Sequence, residues 1–178
     1  MGKLKILVLL LLIFGSCRNE KLKEPEPNPV MGAFDPAVLQ VNLPFSAGLK
    51  GQVLYMPVYS NIPYRIVGIE EFDMSAFIAI HNTDLYNRIT ITQALFFDKM
   101  GEPVSDFLTD GKITLDPLAT EDFFVPYEGR NGNGANFLIE WISDSLVTEP
   151  LVESVTISLK PNQSVAVLSK GKVIREIK

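Results

Sequence analysis

Residues 153–169 read ESVTISLKPNQSVAVLS. Val155, Ile157 and Leu159 alternate with Ser154, Thr156 and Ser158, and a second β-branched run, Ser164–Ser169, follows Lys160-Pro161-Asn162. Successive side chains of a strand point to opposite faces, so alternation at period two marks a strand. Proline and asparagine between the runs supply turn chemistry.

The same texture continues outward. The runs Gln52–Tyr59, Asp73–Asn82, Arg88–Phe97, Lys112–Leu115, Glu121–Tyr127 and Ala135–Ile142 precede it, and a short run, Val173–Ile177, follows. Between them lie Asn82-Thr83-Asp84, Asp98-Lys99-Met100-Gly101, Asp116-Pro117, Gly129–Gly134 and Lys170-Gly171, all turn or loop signatures. Beyond the first segment, no window of helical length carries an i, i+3, i+4 apolar stripe. About 7–9 short strands at this spacing predict an all-β fold. An antiparallel β-sandwich over residues 49–178 is favoured, with a barrel as the alternative.

Alternation also predicts a core. Phe137, Ile139 and Trp141 share a face, as do Phe123, Val125 and Tyr127, and Val155, Ile157 and Leu159. Met74, Ala76, Ile78 and Ile80 form the inward face of their run, leaving Phe77, Ala79 and His81 on a half-covered face. Over residues 88–97 the phase breaks. Ile89 and Ile91 agree with Leu95 and Phe97, Gln93 interrupts them, and a β-bulge near Gln93 resolves the conflict.

The N-terminus reads differently. Lys3 and Lys5 precede the unbroken apolar run Ile6–Phe14, then Gly15, Ser16 and Cys17. Nine apolar residues are too few for the ~30 Å hydrocarbon core. Charged, apolar and small regions in that order make a signal peptide over residues 1–16. Phe14-Gly15-Ser16-Cys17 resembles a bacterial lipobox, although an aliphatic residue is usual where Phe14 stands. That resemblance implies diacylglycerol on the Cys17 thiol, cleavage before Cys17 and an acylated amine, with palmitate among the chains. Arg18–Pro29, RNEKLKEPEPNP, then forms a proline-rich spacer, so residues 17–48 read as lipidated Cys and tether or arm. Within it, Ala37–Val41 is either a short strand or an arm lying on the domain.

Composition removes several functions. A formal charge of -5 argues against nucleic acid, which needs a basic face. One Cys and one His exclude an intrachain disulfide and a Cys/His zinc site, so no metal or other cofactor is expected. His81 has no G-x-S-x-G nucleophile nearby and reads as a strand-end His bonded by Asn82 or Thr83. Cleavage after Ser16 removes two lysines and leaves a more acidic chain, repelled by anionic lipid, so membrane contact is expected through the lipid alone.

The candidate binding residues are Arg130, Asn131 and Asn133 in the glycine-rich loop GRNGNG, then Asn136, Glu140 and Glu153. The loop precedes a strand rather than a helix N-terminus, which disfavours a phosphate cradle. Glu140, between Ile139 and Trp141 on the face of Asn136, is either solvent-exposed or a buried, hydrogen-bonded group. No residue is assigned as catalytic.

Several segments together are familiar: Pro57-Val58-Tyr59-Ser60, Ile80-His81-Asn82-Thr83, Asp98-Lys99-Met100-Gly101, Leu115-Asp116-Pro117-Leu118-Ala119, Gly134-Ala135-Asn136-Phe137-Leu138-Ile139-Glu140-Trp141, Glu149-Pro150-Leu151-Val152-Glu153 and Ser169-Lys170-Gly171. In this order they resemble the bacterial lipoprotein family catalogued as domain of unknown function 3124, over about residues 50–175. The resemblance implies an immunoglobulin-like envelope domain and no established chemistry, so no functional residue carries over.

The expectation is a lipid-anchored envelope protein, on the outer membrane rather than the inner, acting as a non-enzymatic binding or structural module for an unknown envelope protein or glycan. Two alternatives stand beside it. One is an enzyme acting on envelope glycan through Glu140 and Glu153. The other is a small-molecule binder with a pocket near Arg130–Asn136.

Overall fold

Each alternating run becomes a strand where a neighbouring run satisfies its backbone N–H and C=O groups. The computed structural model describes residues 27–30, 32–39, 48–65, 70–127, 134–160 and 163–178. Among them lie β1 (Asn28–Pro29), β2 (Lys50–Pro57), β3 (Asn61–Arg65), β4 (Glu70–Asp73), β5 (Ser75–His81), β6 (Ile89–Asp98) and β7 (Pro103–Asp106). Then follow β8 (Ile113–Leu115), β9 (Thr120–Val125), β10 (Gly134–Ser143), β11 (Leu151–Lys160), β12 (Gln163–Lys170) and β13 (Lys172–Ile177). A large sheet runs β1-β7-β6-β10-β2-β13, with β8 also beside β6. A small sheet runs β12-β11-β5-β9, and β3 and β4 form a separate hairpin. All pairings are antiparallel, so the fold is the expected all-β sandwich.

All nine expected runs are strands. The excess over the expected count comes from the short elements β1, β3, β4 and β7. Pro29, Pro63 and Pro103 sit in three of these, and proline gives up a ladder N–H, which hides such strands from pattern reading. The N-terminal arm turns through a 3-10 helix, Pro36–Val38, where Asp35 Oδ1 accepts the Ala37 N–H at 2.9 Å.

The core between the sheets holds Phe137, Ile139 and Trp141 from β10, Ala76, Ile78 and Ile80 from β5, and Leu54 and Met56 from β2. Phe107 packs its ring against Phe96, Phe123 and Phe137, with centroids 6.4, 5.7 and 5.0 Å away. Ser154 Oγ on β11 donates to the Pro57 carbonyl on β2 at 3.3 Å, a polar strut between the sheets. The chain passes from one sheet to the other at Gly171, where a Cβ would lie 3.0 Å from Leu54 Cδ2.

Three expectations about faces are corrected. First, Ile89 and Ile91 do not share a face with Leu95 and Phe97, because β6 carries the expected bulge. Glu140 is opposite Gln93, but Trp141 is opposite Ile91, so Thr92 is the extra residue. The bulge changes the phase. Ile89 and Ile91 therefore share the core with Ala94 and Phe96, while Leu95 and Phe97 go to the outer face. Second, Tyr127 lies past the end of β9 and is exposed. Third, β11 is inverted. Val152, Ser154, Thr156 and Ser158 are buried, and Val155, Ile157 and Leu159 face outward.

Part of the outer face of the large sheet is also buried, although Tyr55 on β2 stays exposed. The arm residues Val30, Phe34 and Leu39 cover Val53, Leu95, Phe97 and Leu138, and Phe34 meets Phe97 edge-on at 5.3 Å.

Candidate functional site

The outer face of the small sheet is assembled by strand register. Phe124, Phe77, Val155 and Leu168 are successive cross-strand partners over β9, β5, β11 and β12, forming one apolar row. Ile157 and Ala166 extend it towards the β11–β12 turn, followed by Leu159. Exposure is 78% at Leu159, 75% at Leu168, 44% at Phe124 and 43% at Phe77. A sheet of four strands, six residues deep, presents on the order of 400 Å². The apolar row with Ile157, Ala166 and Leu159 takes up part of that area, and exposed apolar surface gathered in one place is often functional.

A polar row borders it on one side, formed by Asp122, Ala79, Glu153 and Lys170, again as cross-strand partners. Beyond lies His81, whose Nδ1 is 2.9 Å from Thr120 Oγ1 and whose Nε2 is 4.0 Å from Glu153 Oε1. The expected partners of His81 do other work. Asn82 Nδ2 donates to the carbonyls of Asn87, Leu115 and Asp116, and Thr83 Oγ1 donates to the Glu149 carbonyl.

These bonds belong to a knot at one end of the sandwich. Asp84 accepts the backbone N–H groups of Thr148, Tyr86 and Asn87, each at 2.8 Å. Those donors, Thr148 foremost, hold its carboxyl down at about 2. The knot joins three loops whose residues lie far apart in sequence. On β9, neighbours point opposite ways. Asp122 faces out, while burial, with Asp122 adding to it, pushes the inward Glu121 carboxyl up.

The sequence-derived candidates do not converge. Cys17, Arg130, Asn131 and Asn133 lie outside the described residues. Asn136 is half-buried on the outer face of the large sheet, opposite Pro57 and Phe97. On that face Glu140 is 0% exposed, and its Oε1 accepts the Thr92 hydroxyl at 2.7 Å. Of the two alternatives for Glu140, the structure thus takes the buried, hydrogen-bonded one. The bulge supplies the donor, because Thr92 is the residue it inserts.

Glu153 sits on the outer face of the small sheet. Two sheets, packed about 10 Å apart, separate it from Glu140, beyond the ~5–9.5 Å that carboxylate-pair chemistry requires. The described cleft, about 770 Å³ and open, lies at the opposite end of β10 from Gly134. It is lined by Tyr86, Arg88, Thr114, Asp116 and Ser145, and Arg88 Nε pairs with Asp116 Oδ1 at 2.5 Å. Among the described residues, no group of three His, Cys, Asp or Glu side chains is placed to hold a metal. No helix among them is long and apolar enough to cross a membrane.

Pattern reading located the strands of the apolar face but missed the face itself. The available signal was the run of small hydroxyl residues, Ser154, Thr156 and Ser158, which suits a tightly packed interior as well as a solvated surface.

No curated protein matches this chain. Among solved structures, the crystal structure of Thermotoga maritima 1070 is similar with a TM-score of 0.43 at 10% identity, covering 68% of this chain and 92% of that one. Residues 51–174, from β2 into β13 and so through both sheets, match the family described as "Protein of unknown function (DUF3124)". The chain belongs to that family of proteins of unknown function, DUF3124.

Proposed function

We propose that the protein is a non-enzymatic binding module of the cell envelope, on the outer membrane, held by lipid at Cys17 and presenting the outer face of its small sheet to a partner. The inversion of β11 carries this reading. A strand that buries three hydroxyl residues, turns a half-buried Val155 outward and exposes Ile157 and Leu159 spends apolar surface where folding gains little from it. The large sheet serves as contrast, since Val53, Leu95, Phe97 and Leu138 on its outer face are covered by the chain's own arm.

The lipid and the spacer that precedes β1, whose Asn28 and Pro29 belong to the large sheet, account for how such a face is held near a membrane without a basic surface. A photo-crosslinking amino acid in place of Leu168, in the full chain in its own membrane, tests the surface. A discrete adduct is expected from position 168 and none from the exposed Val104 on β7 of the other sheet. No adduct at 168 overturns the reading. Cys17→Ser should release the protein from the membrane pellet, and unchanged pelleting after carbonate washing overturns the anchor.

A further inference from the structure

We infer that the partner on this face is a second copy of the same chain, packed about a two-fold axis parallel to the strands of the small sheet. This rests on reading the face as a binding surface, and it commits that surface to one occupant.

Charge placement carries the argument. Asp122 on β9 and Lys170 on β12 stand at opposite ends of one cross-strand row, with Ala79 and Glu153 between them. Neither has an ion-pair partner among the described residues. A two-fold axis running along the strands, between β5 and β11, lays β12 of one copy over β9 of the other at the same height. Lys170 then faces Asp122 of the second copy, and the pair forms twice. The same operation sets Leu168 over Phe124 and Val155 over Phe77, so apolar meets apolar along the whole neighbouring row. Self-complementarity of this kind is what a two-fold interface requires.

The other face-to-face arrangement fails on the same residues. A two-fold across the strands, centred on the apolar row, lays Lys170 over Ala166 and Glu153 over Ile157, desolvating charge against apolar surface. Charge placement therefore selects the first axis. That axis also keeps the same end of both copies on the same side, as two chains tethered to one membrane need.

Each copy contributes on the order of 400 Å², about half of the ~800 Å² per partner in standard interfaces. The pairing is accordingly weak in dilute solution and is expected where tethering concentrates the copies.

Cysteine cross-linking in the native membrane tests it, with a thiol-specific bifunctional reagent whose arm is a few ångströms long, because facing Cα atoms on sheets packed about 10 Å apart are too far for a direct disulfide. Within one chain positions 122 and 170 are three strand spacings apart, about 14 Å, too far for so short an arm to bridge internally. With that reagent, the full chain carrying Asp122→Cys and Lys170→Cys together should give a covalently linked dimer. Co-expressing the two single variants should do the same. Neither single variant alone, nor the parent chain, should link, because like positions lie about 14 Å apart across the strands and on opposite sheets as well. Both residues are exposed, and resistance to proteolysis confirms that the variants are folded. A folded double variant that stays unlinked, or single variants that link equally well, overturns the inference. A photo-adduct of position 168 with a different protein and no 122–170 link retires the second copy but keeps the binding surface. No adduct and no link retires both.

Discussion

The two outer faces of the sandwich start from similar material and end differently. On the large sheet Val53, Leu95, Phe97 and Leu138 are apolar, strand-borne and covered by Val30, Phe34 and Leu39 from the arm. On the small sheet Phe77, Phe124, Ile157, Leu159 and Leu168 are equally apolar and strand-borne, and open. The covered face also tolerates Glu140, because a bulge brings the Thr92 hydroxyl to it. The bare face keeps its charges, Asp122, Glu153 and Lys170, in a row beside the apolar one. Burial stabilises an apolar side chain only where something covers it, so the first face serves folding and the second is available for association.

The largest test compares two phenylalanines. Phe97→Ala should cost about 3–5 kcal/mol in urea unfolding, as for a buried aromatic ring. Phe77→Ala should cost about 1 kcal/mol, since it forfeits only part of a burial worth roughly 1.5–3 kcal/mol. Equal costs would break the comparison.

Next comes the polar group on the covered face. Thr92→Val removes the donor to Glu140 Oε1 and should cost about 1–3 kcal/mol by the same measurement, while leaving cross-linking at position 168 intact. A neutral result would mean that the bulge is not there to serve Glu140.

Acid should act on neither face first, but on the end knot. Asp84 has its folded pKa depressed to about 2, below that of an unfolded Asp. Its contribution is therefore complete above about pH 4 and is lost as pH falls towards 2. Glu121, with its pKa raised, acts with the opposite sign, its contribution fading as pH rises through the folded value. Asp84→Asn should flatten the dependence of the urea midpoint on pH between about 4 and 2. An unchanged acid limb would remove Asp84 from the account.

A smaller gain is expected inside the inverted strand. Thr156 Oγ1 is buried without a hydrogen-bond partner among the described residues. Thr156→Val should raise stability by about 1 kcal/mol, because an unsatisfied hydroxyl is replaced by a methyl of similar size. Loss of stability would show that the hydroxyl is bonded.

The smallest effect on folding belongs to the bare face. Leu168→Lys should change stability by less than about 0.5 kcal/mol and yet abolish the 122–170 cross-link. A variant that still links would show that the apolar row does not form the contact.

Much of the fold was legible because its cues are local. Phe137, Ile139 and Trp141 at period two between turn residues define a core strand, and the structure buries all three. The phase conflict at Gln93 announced a bulge, which the register shows one residue away. The hairpin of β3 and β4 was not legible. It holds Pro63, and its order comes from contacts made elsewhere, such as Lys160 Nζ donating to the Glu71 carbonyl at 2.8 Å. The candidate site was legible only in pieces. Val155, Ile157 and Leu159 were grouped correctly and assigned to the wrong side.

Alternation and turn residues by themselves determined nine of the strands and, within an unbroken run, which side chains share a face. They did not determine which of two faces turns inward. A period of two is unchanged when a strand is rolled over, so the local pattern is the same for both orientations. The choice depends on residues distant in sequence: the strands that pair with β11, the core that Ser154 and Thr156 face, and the arm that covers one sheet and leaves the other bare. Only packing of the whole chain breaks that symmetry.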